Sequence, residues 1–183
     1  MFEIRVLDFA SRYGLFTREL ALYTANLAGQ QKAYDRHLFR LMERLYDEYK
    51  DPMILTAICT LLIKGNQIKE DCFKWYELAV QQEIKIVQLY EYYMMTINEW
   101  KIRDPLPKSV LLYFMHGNTL TYEKTAFLYA NIIQFQEESS DIYTFYRDKM
   151  ESFAWDQVTK RHINEALRII YKRFCTEKDM SPE

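Results

Sequence analysis

The chain has three histidines that could bind a metal ion or transfer a proton near neutral pH: His37, His116 and His162. His162 and Glu165 lie three positions apart, a spacing that can bring an imidazole and a carboxylate together on one helix face. Such a pair can ligate a metal or act as an acid and a base. Asn164 lies between them and is typical of a helix start, which would separate the two side chains. We therefore interpret His162 as a turn residue and His116 as the end of a helix.

The cysteines are the second group that could carry chemistry: Cys59, Cys72 and Cys175. Their spacing is not that of a zinc site, and an odd number cannot form a complete set of disulfides, although one bridge remains possible. A nucleophilic thiol needs a base and an electropositive setting. Cys59 and Cys72 lie in apolar segments instead, so we expect them to be reduced core residues.

Two clusters of charge remain as candidate sites. The acidic cluster comprises Glu137, Glu138 and Asp141, and it surrounds Ser139 and Ser140. Because serine is a common helix cap, we interpret this segment as a charged loop that leads into a helix. The basic cluster comprises Lys160, Arg161, Arg168, Lys172 and Arg173. It could attract an acidic partner, but basic residues near the end of a helix also complement its dipole, and we favour that interpretation.

Composition excludes several function classes. With four glycines in 183 residues, the chain has neither a phosphate-binding loop nor a dinucleotide-binding turn. Its 24 basic and 26 acidic residues give no global positive charge for nucleic acid. We therefore predict no cofactor, no metal and no nucleic-acid partner, and a protein that is not an enzyme. An unrecognised catalytic cleft remains the less favoured alternative.

The scarcity of turn residues predicts an all-α protein. Four glycines and four prolines are few for this length, and sheets need the turns that these residues make. The longest apolar run, residues 54–63, is far shorter than the roughly 20 residues of a membrane-spanning helix. The first residues do not resemble a signal peptide. Neither observation decides between a cytoplasmic and a surface location, because the chain can be part of a larger protein.

An internal repeat organises the helices. Four apolar residues, each after a glycine or basic turn and before an acid, are spaced 52, 52 and 43 positions apart: Phe16, Ile68, Leu120 and Ile163. Three of these corners are followed by residues that cap helices: Thr17, Thr121 and Asn164. We therefore predict an α-solenoid of stacked helical hairpins, with about ten helices in three to four units of about 52 residues. The units are 1–50, 51–103, 104–152 and 153–176, followed by a disordered tail at 177–183.

Within these units the apolar spacing predicts individual helices, among them 34–49, 84–99, 139–152 and 164–174. Residues 2–7 alternate in polarity like a strand, but the repeat favours a helix there. In the last helix we expect Leu167, Ile170 and Phe174 to be buried.

Part of the chain resembles a known family. The resemblance covers about residues 105–175 and is carried by Tyr129-Ala130-Asn131-Ile132 and by the pattern at Arg161-His162-Ile163-Asn164-Glu165. These stretches are similar to a family of large, uncharacterised helical-repeat proteins of anaerobic Gram-positive bacteria, and more generally to tetratricopeptide-like repeats. Related members carry a glycine before the second pattern, where this chain has Lys160, Arg161 and His162. The resemblance implies an α-repeat fold and supplies no catalytic residues.

Aromatic residues, 16% of the chain, indicate how it could act. Most must fill the spaces between helices, but two helix faces opposite the predicted core carry residue types enriched in protein interfaces. One face has Gln88, Tyr92, Met95 and Glu99, and the other has Tyr143, Arg147 and Met150. We predict a protein-binding module that uses these faces, in a narrower form a bacterial surface module that captures a host protein such as immunoglobulin. For the two faces, the alternative is contact with the neighbouring helix of the same chain. For the function, the alternative is a structural spacer within a larger protein.

Overall fold

A computed structural model describes residues 2–117, 120–135, 140–155 and 160–175. These residues form ten α-helices and no strand, which confirms the all-α prediction, including a helix rather than a strand at the start. The helices are α1 (Phe2–Arg12), α2 (Arg18–Gln30), α3 (Arg36–Tyr49), α4 (Pro52–Lys64), α5 (Phe73–Gln81), α6 (Leu89–Trp100), α7 (Lys108–His116), α8 (Tyr122–Phe135), α9 (Asp141–Trp155) and α10 (Lys160–Cys175), and a 3₁₀ helix (Glu70–Cys72) precedes α5.

The helices recur in sets of three. The first helices of the sets, α1, α4, α7 and α10, begin at residues 2, 52, 108 and 160. The second position is taken by α2, the 3₁₀ helix with α5, and α8, which begin at 18, 70 and 122. The third helices, α3, α6 and α9, begin at 36, 89 and 141. This order gives one set of three helices about every 52 residues, while the stacking of all sets into a solenoid stays a prediction.

The predicted corners divide into three that begin a helix and one that does not. Thr17 Oγ1 accepts a hydrogen bond from Leu20 N at 3.2 Å, and Thr121 Oγ1 accepts one from Lys124 N at 3.2 Å. Lys69 precedes the 3₁₀ helix without a side-chain cap. Asn164 lies four residues inside α10, so the predicted helix start there is wrong. The local pattern is outweighed by packing, because α10 packs along α8.

Two further predictions for α10 and α6 need correction. Leu167 is 57% exposed rather than buried, while Ala166 on the adjacent position is buried and Phe174 lies outside the residues whose side chains are described. The predicted helix 84–99 begins only at Leu89. Glu83 has a φ of 55°, and Ile84 N donates a hydrogen bond to Ala79 O at 3.0 Å. This geometry ends α5 and directs the chain away from the helix.

The chain divides into two compact units, Met1–Ile102 and Arg103–Glu183. The core of the first unit centres on α4, a largely apolar helix that packs against α2, α3 and α5. Asp51 caps α4 through Met53 N at 2.9 Å, and Pro52 occupies its first turn, where the missing N–H costs nothing. Residues 54, 55, 57–59, 61 and 62 are buried, which explains why α4 carries apolar residues on more than one side.

The second unit is built around α8, which packs against α9 and α10. Asn131 of α8 is fully buried and connects this helix to the proline-containing segment before α7. Its Oδ1 accepts a hydrogen bond from Leu106 N at 3.0 Å, and its Nδ2 donates one to Asp104 O at 3.2 Å. The Tyr-Ala-Asn-Ile stretch therefore has a structural role. Its asparagine provides hydrogen-bond partners for backbone groups of a segment that lies outside the helices.

Gly65, which ends α4, provides a test of this packing. A Cβ at this position would lie 2.4 Å from Tyr34 Cβ and 2.7 Å from Tyr34 Cγ, although φ is an ordinary −85°. Gly65→Ala is therefore expected to lower the free energy of unfolding by about 1–3 kcal/mol through overpacking. The measurement is urea denaturation followed by circular dichroism.

Gly29 in α2 is the matched control, because a Cβ there meets nothing within 4 Å. Gly29→Ala should stabilise the protein by up to about 1 kcal/mol, the difference in helix propensity between the two residues. Equal effects of the two substitutions would contradict the steric explanation for Gly65.

Candidate protein-binding surfaces

The first predicted surface lies on α6 and divides into exposed residues and one internal contact. Met95 is 41% exposed, Glu99 is exposed, and Gln88 is exposed immediately before the helix with a φ of 70°. Tyr92 is half-buried, and its hydroxyl donates to Asn66 Oδ1 at 2.8 Å. Tyr92 thus positions the turn after α4, and the outward part of this face is formed by the other three residues.

Trp100, the last residue of α6, belongs to the same surface and was not among the predicted residues. Its side chain is 45% exposed, and its indole N–H donates to Ile68 O at 2.8 Å. This bond fixes the ring without burying it. An indole held in this way loses little entropy when a partner covers it.

The internal repeat contains the signal that could have identified Trp100. In the first set of helices, Tyr49 at the end of α3 donates from its hydroxyl to Phe16 O at 3.0 Å. In both sets the donor ends the third helix and the acceptor is the apolar corner residue, 33 and 32 positions earlier. A lysine in the left-handed region follows each donor, Lys50 at φ 50° and Lys101 at φ 51°.

A cleft of about 260 Å³ lies between the end of α6 and the turn after α4. Its lining residues are Asn66, Gln67, Ile68, Lys69, Glu99 and Trp100. We call this cleft together with Gln88 and Met95 the α6 surface. All of it lies within the first compact unit.

Hydrogen bonds within the chain fix the wall of the cleft that the turn provides. Tyr76 of α5 is fully buried, and its hydroxyl donates to Gln67 O at 2.6 Å. Burial raises the pKa of this phenol far above its usual range, so the hydroxyl stays a donor at physiological pH. The Gln67 side chain in turn donates to Gly65 O at 2.8 Å. Together with the bonds from Tyr92 and Trp100, these contacts give the cleft a preformed shape.

The two walls of the cleft carry opposite charges. Lys69 projects from the turn and Glu99 from α6, and both residues are exposed. Within the described part of the chain, neither the ammonium nor the carboxylate takes part in an ion pair. The cleft therefore offers one positive and one negative group to a ligand.

The second predicted surface lies on α9, in the other compact unit, and its polar groups bond to one another. The hydroxyls of Tyr143 and Tyr129 lie 3.4 Å apart. Arg147 is exposed, pairs with Asp148 at 3.0 Å and lies with its guanidinium carbon 6.0 Å from the Tyr143 ring centroid. The hydrogen bond and charge of Asp148 raise the pKa of Arg147. Met150 is half-buried. Of the three predicted residues on this face, Arg147 is the charged one, and the structure describes no cleft beside them.

The cysteines that the structure describes are unsuited to nucleophilic chemistry. Cys59 and Cys72 are free and buried, as predicted. Burial raises the pKa of the Cys59 thiol far above its usual range and raises that of Cys72 to about 11. Both thiols therefore stay protonated at neutral pH. Cys175 ends α10, and its side chain lies outside the described residues.

Among the residues that the structure describes, the other candidate groups do not meet in a metal site. His116 ends α7 before Gly117, as predicted. His162 lies near the start of α10, so its interpretation as a turn residue is wrong, and its side chain lies outside the described set. Glu165 pairs with Arg168 at 2.7 Å. In the part of the chain that the structure describes, no three histidine, cysteine or carboxylate side chains could together hold a metal ion.

The two predicted charge clusters are described only in part. Ser140 caps α9 through Tyr143 N at 3.1 Å, which confirms the loop-to-helix interpretation at this residue. Residues 136–139, including Glu137 and Glu138, lie outside the described residues. In the basic cluster, Arg173 is 8% exposed, with its guanidinium carbon 4.6 Å from the Phe127 ring centroid. The side chains of Lys160 and Arg161 are not among those described.

None of the described helices is both long enough and apolar enough to cross a bilayer.

Comparison with known proteins gives a match to one family. No curated protein and no solved structure matches the chain significantly. A family of unknown function, DUF5717, matches through its N-terminal region, and the match extends over residues 1–183. The chain therefore belongs to the DUF5717 family as a representative of its N-terminal region.

Proposed function

We propose that this chain is a non-enzymatic helical-repeat module, related in organisation to tetratricopeptide-like repeats, that binds another protein through the α6 surface. The observation that carries the proposal is Trp100, a half-exposed indole whose N–H is already bonded and whose ring borders a preformed cleft. Tryptophan is the residue type most enriched among the energetically dominant positions of protein interfaces.

The neighbouring residues support this assignment. Met95 shares a face of α6 with Glu99, four positions later, and offers a polarisable, adaptable apolar contact. Glu99 and Lys69 add charges at the border of the apolar area, where charges set orientation and association rate. An apolar centre with a polar rim is the usual composition of an interface.

The recurrence of three helices about every 52 residues supports stacking of the sets as a solenoid. In that arrangement a tie such as Trp100 to Ile68 lies at the same corner in successive sets, and the surface beside it is available to partners. The α9 face is the weaker candidate, because its hydroxyls and guanidinium bond within the chain.

Met95→Glu tests the proposal, since it places a charge on the exposed face of α6 that also carries Glu99. The intact chain is immobilised, and captured proteins from the producing organism are quantified by mass spectrometry. Immunoglobulin G serves as a defined probe for the narrower proposal of a surface module that captures host proteins. We expect Met95→Glu and Trp100→Ala to reduce specific capture by about tenfold or more.

Met53→Glu is the matched control, because Met53 is a 52% exposed methionine on α4 and does not belong to the α6 surface. It should leave capture unchanged. The proposal is wrong if all variants capture the same proteins equally, or if the unsubstituted chain captures none. In the latter case a structural spacer becomes the better interpretation. Loss of immunoglobulin binding alone would remove only the narrower form.

A further inference from the structure

The cleft at the end of α6 is specific enough in shape and charge to indicate the kind of ligand that fills it. Its volume is about 260 Å³. Sites for cofactors and drug-sized molecules usually occupy about 300–1,000 Å³. The cleft is therefore suited to a few side chains of a polypeptide rather than to a complete organic cofactor.

The residues of the two cleft walls indicate which ligand side chains fit there. Trp100 provides an aromatic surface on the α6 wall, and Glu99 lies next to it in sequence on the same wall. A basic ligand side chain at this wall can contact the carboxylate and the indole ring together, through an ion pair and a cation–π contact. On the turn wall, Lys69 attracts an acidic side chain. Ile68 also lines the cleft and adds an apolar residue to the turn wall.

Resting on the proposed function, we infer that the cleft binds an extended segment of the partner protein in which an apolar or aromatic residue lies between an acidic and a basic residue. The acidic residue pairs with Lys69 and the basic residue with Glu99. The apolar residue packs against the exposed face of the Trp100 ring, beside Ile68. Because the turn is held by Tyr76, Tyr92 and Trp100, the ligand does not have to order the site when it binds.

Phage display of random 12-residue peptides on the intact chain tests this inference. The test variant exchanges the two charges, Lys69→Glu with Glu99→Lys. The matched control exchanges an exposed pair outside the cleft, Glu83→Lys with Lys85→Glu, which also leaves the net charge unchanged. The most enriched peptide is synthesised together with a twin in which its acidic and basic residues are exchanged. Dissociation constants come from fluorescence anisotropy, and circular dichroism verifies the fold of each variant.

We expect the unsubstituted chain and the control to prefer the selected peptide by tenfold or more, and the test variant to prefer the twin. An unchanged preference in the test variant would overturn the inference. So would selected peptides without the two charges, or no enrichment at all. Met95-dependent capture of a protein in the preceding experiment would leave the proposed function standing in each of these cases, whereas its absence would remove both.

Discussion

Tyr76→Ala is expected to lower the free energy of unfolding by about 3–5 kcal/mol, the usual cost of truncating a buried aromatic residue. The ring of Tyr76 is fully buried on α5, and its centroid lies 6.2 Å from that of Tyr92. The substitution leaves a cavity in the first unit and removes the donor to Gln67 O. Urea denaturation followed by circular dichroism measures the change.

Tyr76→Phe separates the two contributions, because it keeps the ring and removes only the hydroxyl. The expected loss is about 1–2 kcal/mol, since the Gln67 carbonyl loses a short hydrogen bond of 2.6 Å. The phenylalanine variant should also weaken binding at the α6 surface, because the turn that forms one wall of the cleft is less well held. If Tyr76→Phe were as unstable as Tyr76→Ala, the lost hydrogen bond and not the cavity would account for most of the loss of stability.

Asn131→Leu is expected to lower the free energy of unfolding by about 2–4 kcal/mol. Leucine has a similar shape but cannot replace either bond of the side-chain amide, so Leu106 N and Asp104 O lose their partners together. The Leu106 bond is buried, and its unsatisfied N–H accounts for most of the expected cost. The same denaturation experiment, with the second unit followed by hydrogen exchange, provides the measurement.

Asn98→Leu is the control for Asn131→Leu. Asn98 is exposed on α6, so the same substitution there should change stability by no more than about 0.5 kcal/mol. If Asn131→Leu were equally neutral, the segment before α7 would be held by the packing of Leu106 and not by the amide of Asn131.

Local signals in the sequence were sufficient for much of the fold. Thr17 and Thr121 cap helices because capping depends on a few neighbouring residues, which a short pattern records. The same kind of pattern was misleading at Asn164, where the amides that a cap would satisfy are bonded within α10. The corner at Ile163 already differed from the other corners, because it follows Leu120 by 43 residues and not by 52. The start of α10 keeps the period, since it lies 52 residues after the start of α7.

The candidate site was only partly predictable, because it depends on segments about 30 residues apart in sequence. Helical spacing placed Met95 and Glu99 correctly on an outward face of α6. It could not show that Tyr92 turns back to Asn66, since this contact depends on where the turn after α4 ends. Trp100 was missed because periodicity identifies faces, whereas its role depends on a bond to the backbone of the turn after α4.

The bonds from Tyr49 to Phe16 and from Trp100 to Ile68 show that equivalent positions of the repeat can hold rings of different size. In the first set, a phenol of moderate size makes the bond and remains half-buried. In the second set, a wider indole makes the same bond and remains 45% exposed. Under the proposed function, a larger ring at an otherwise unchanged joint gives this set of helices its point of contact with a partner.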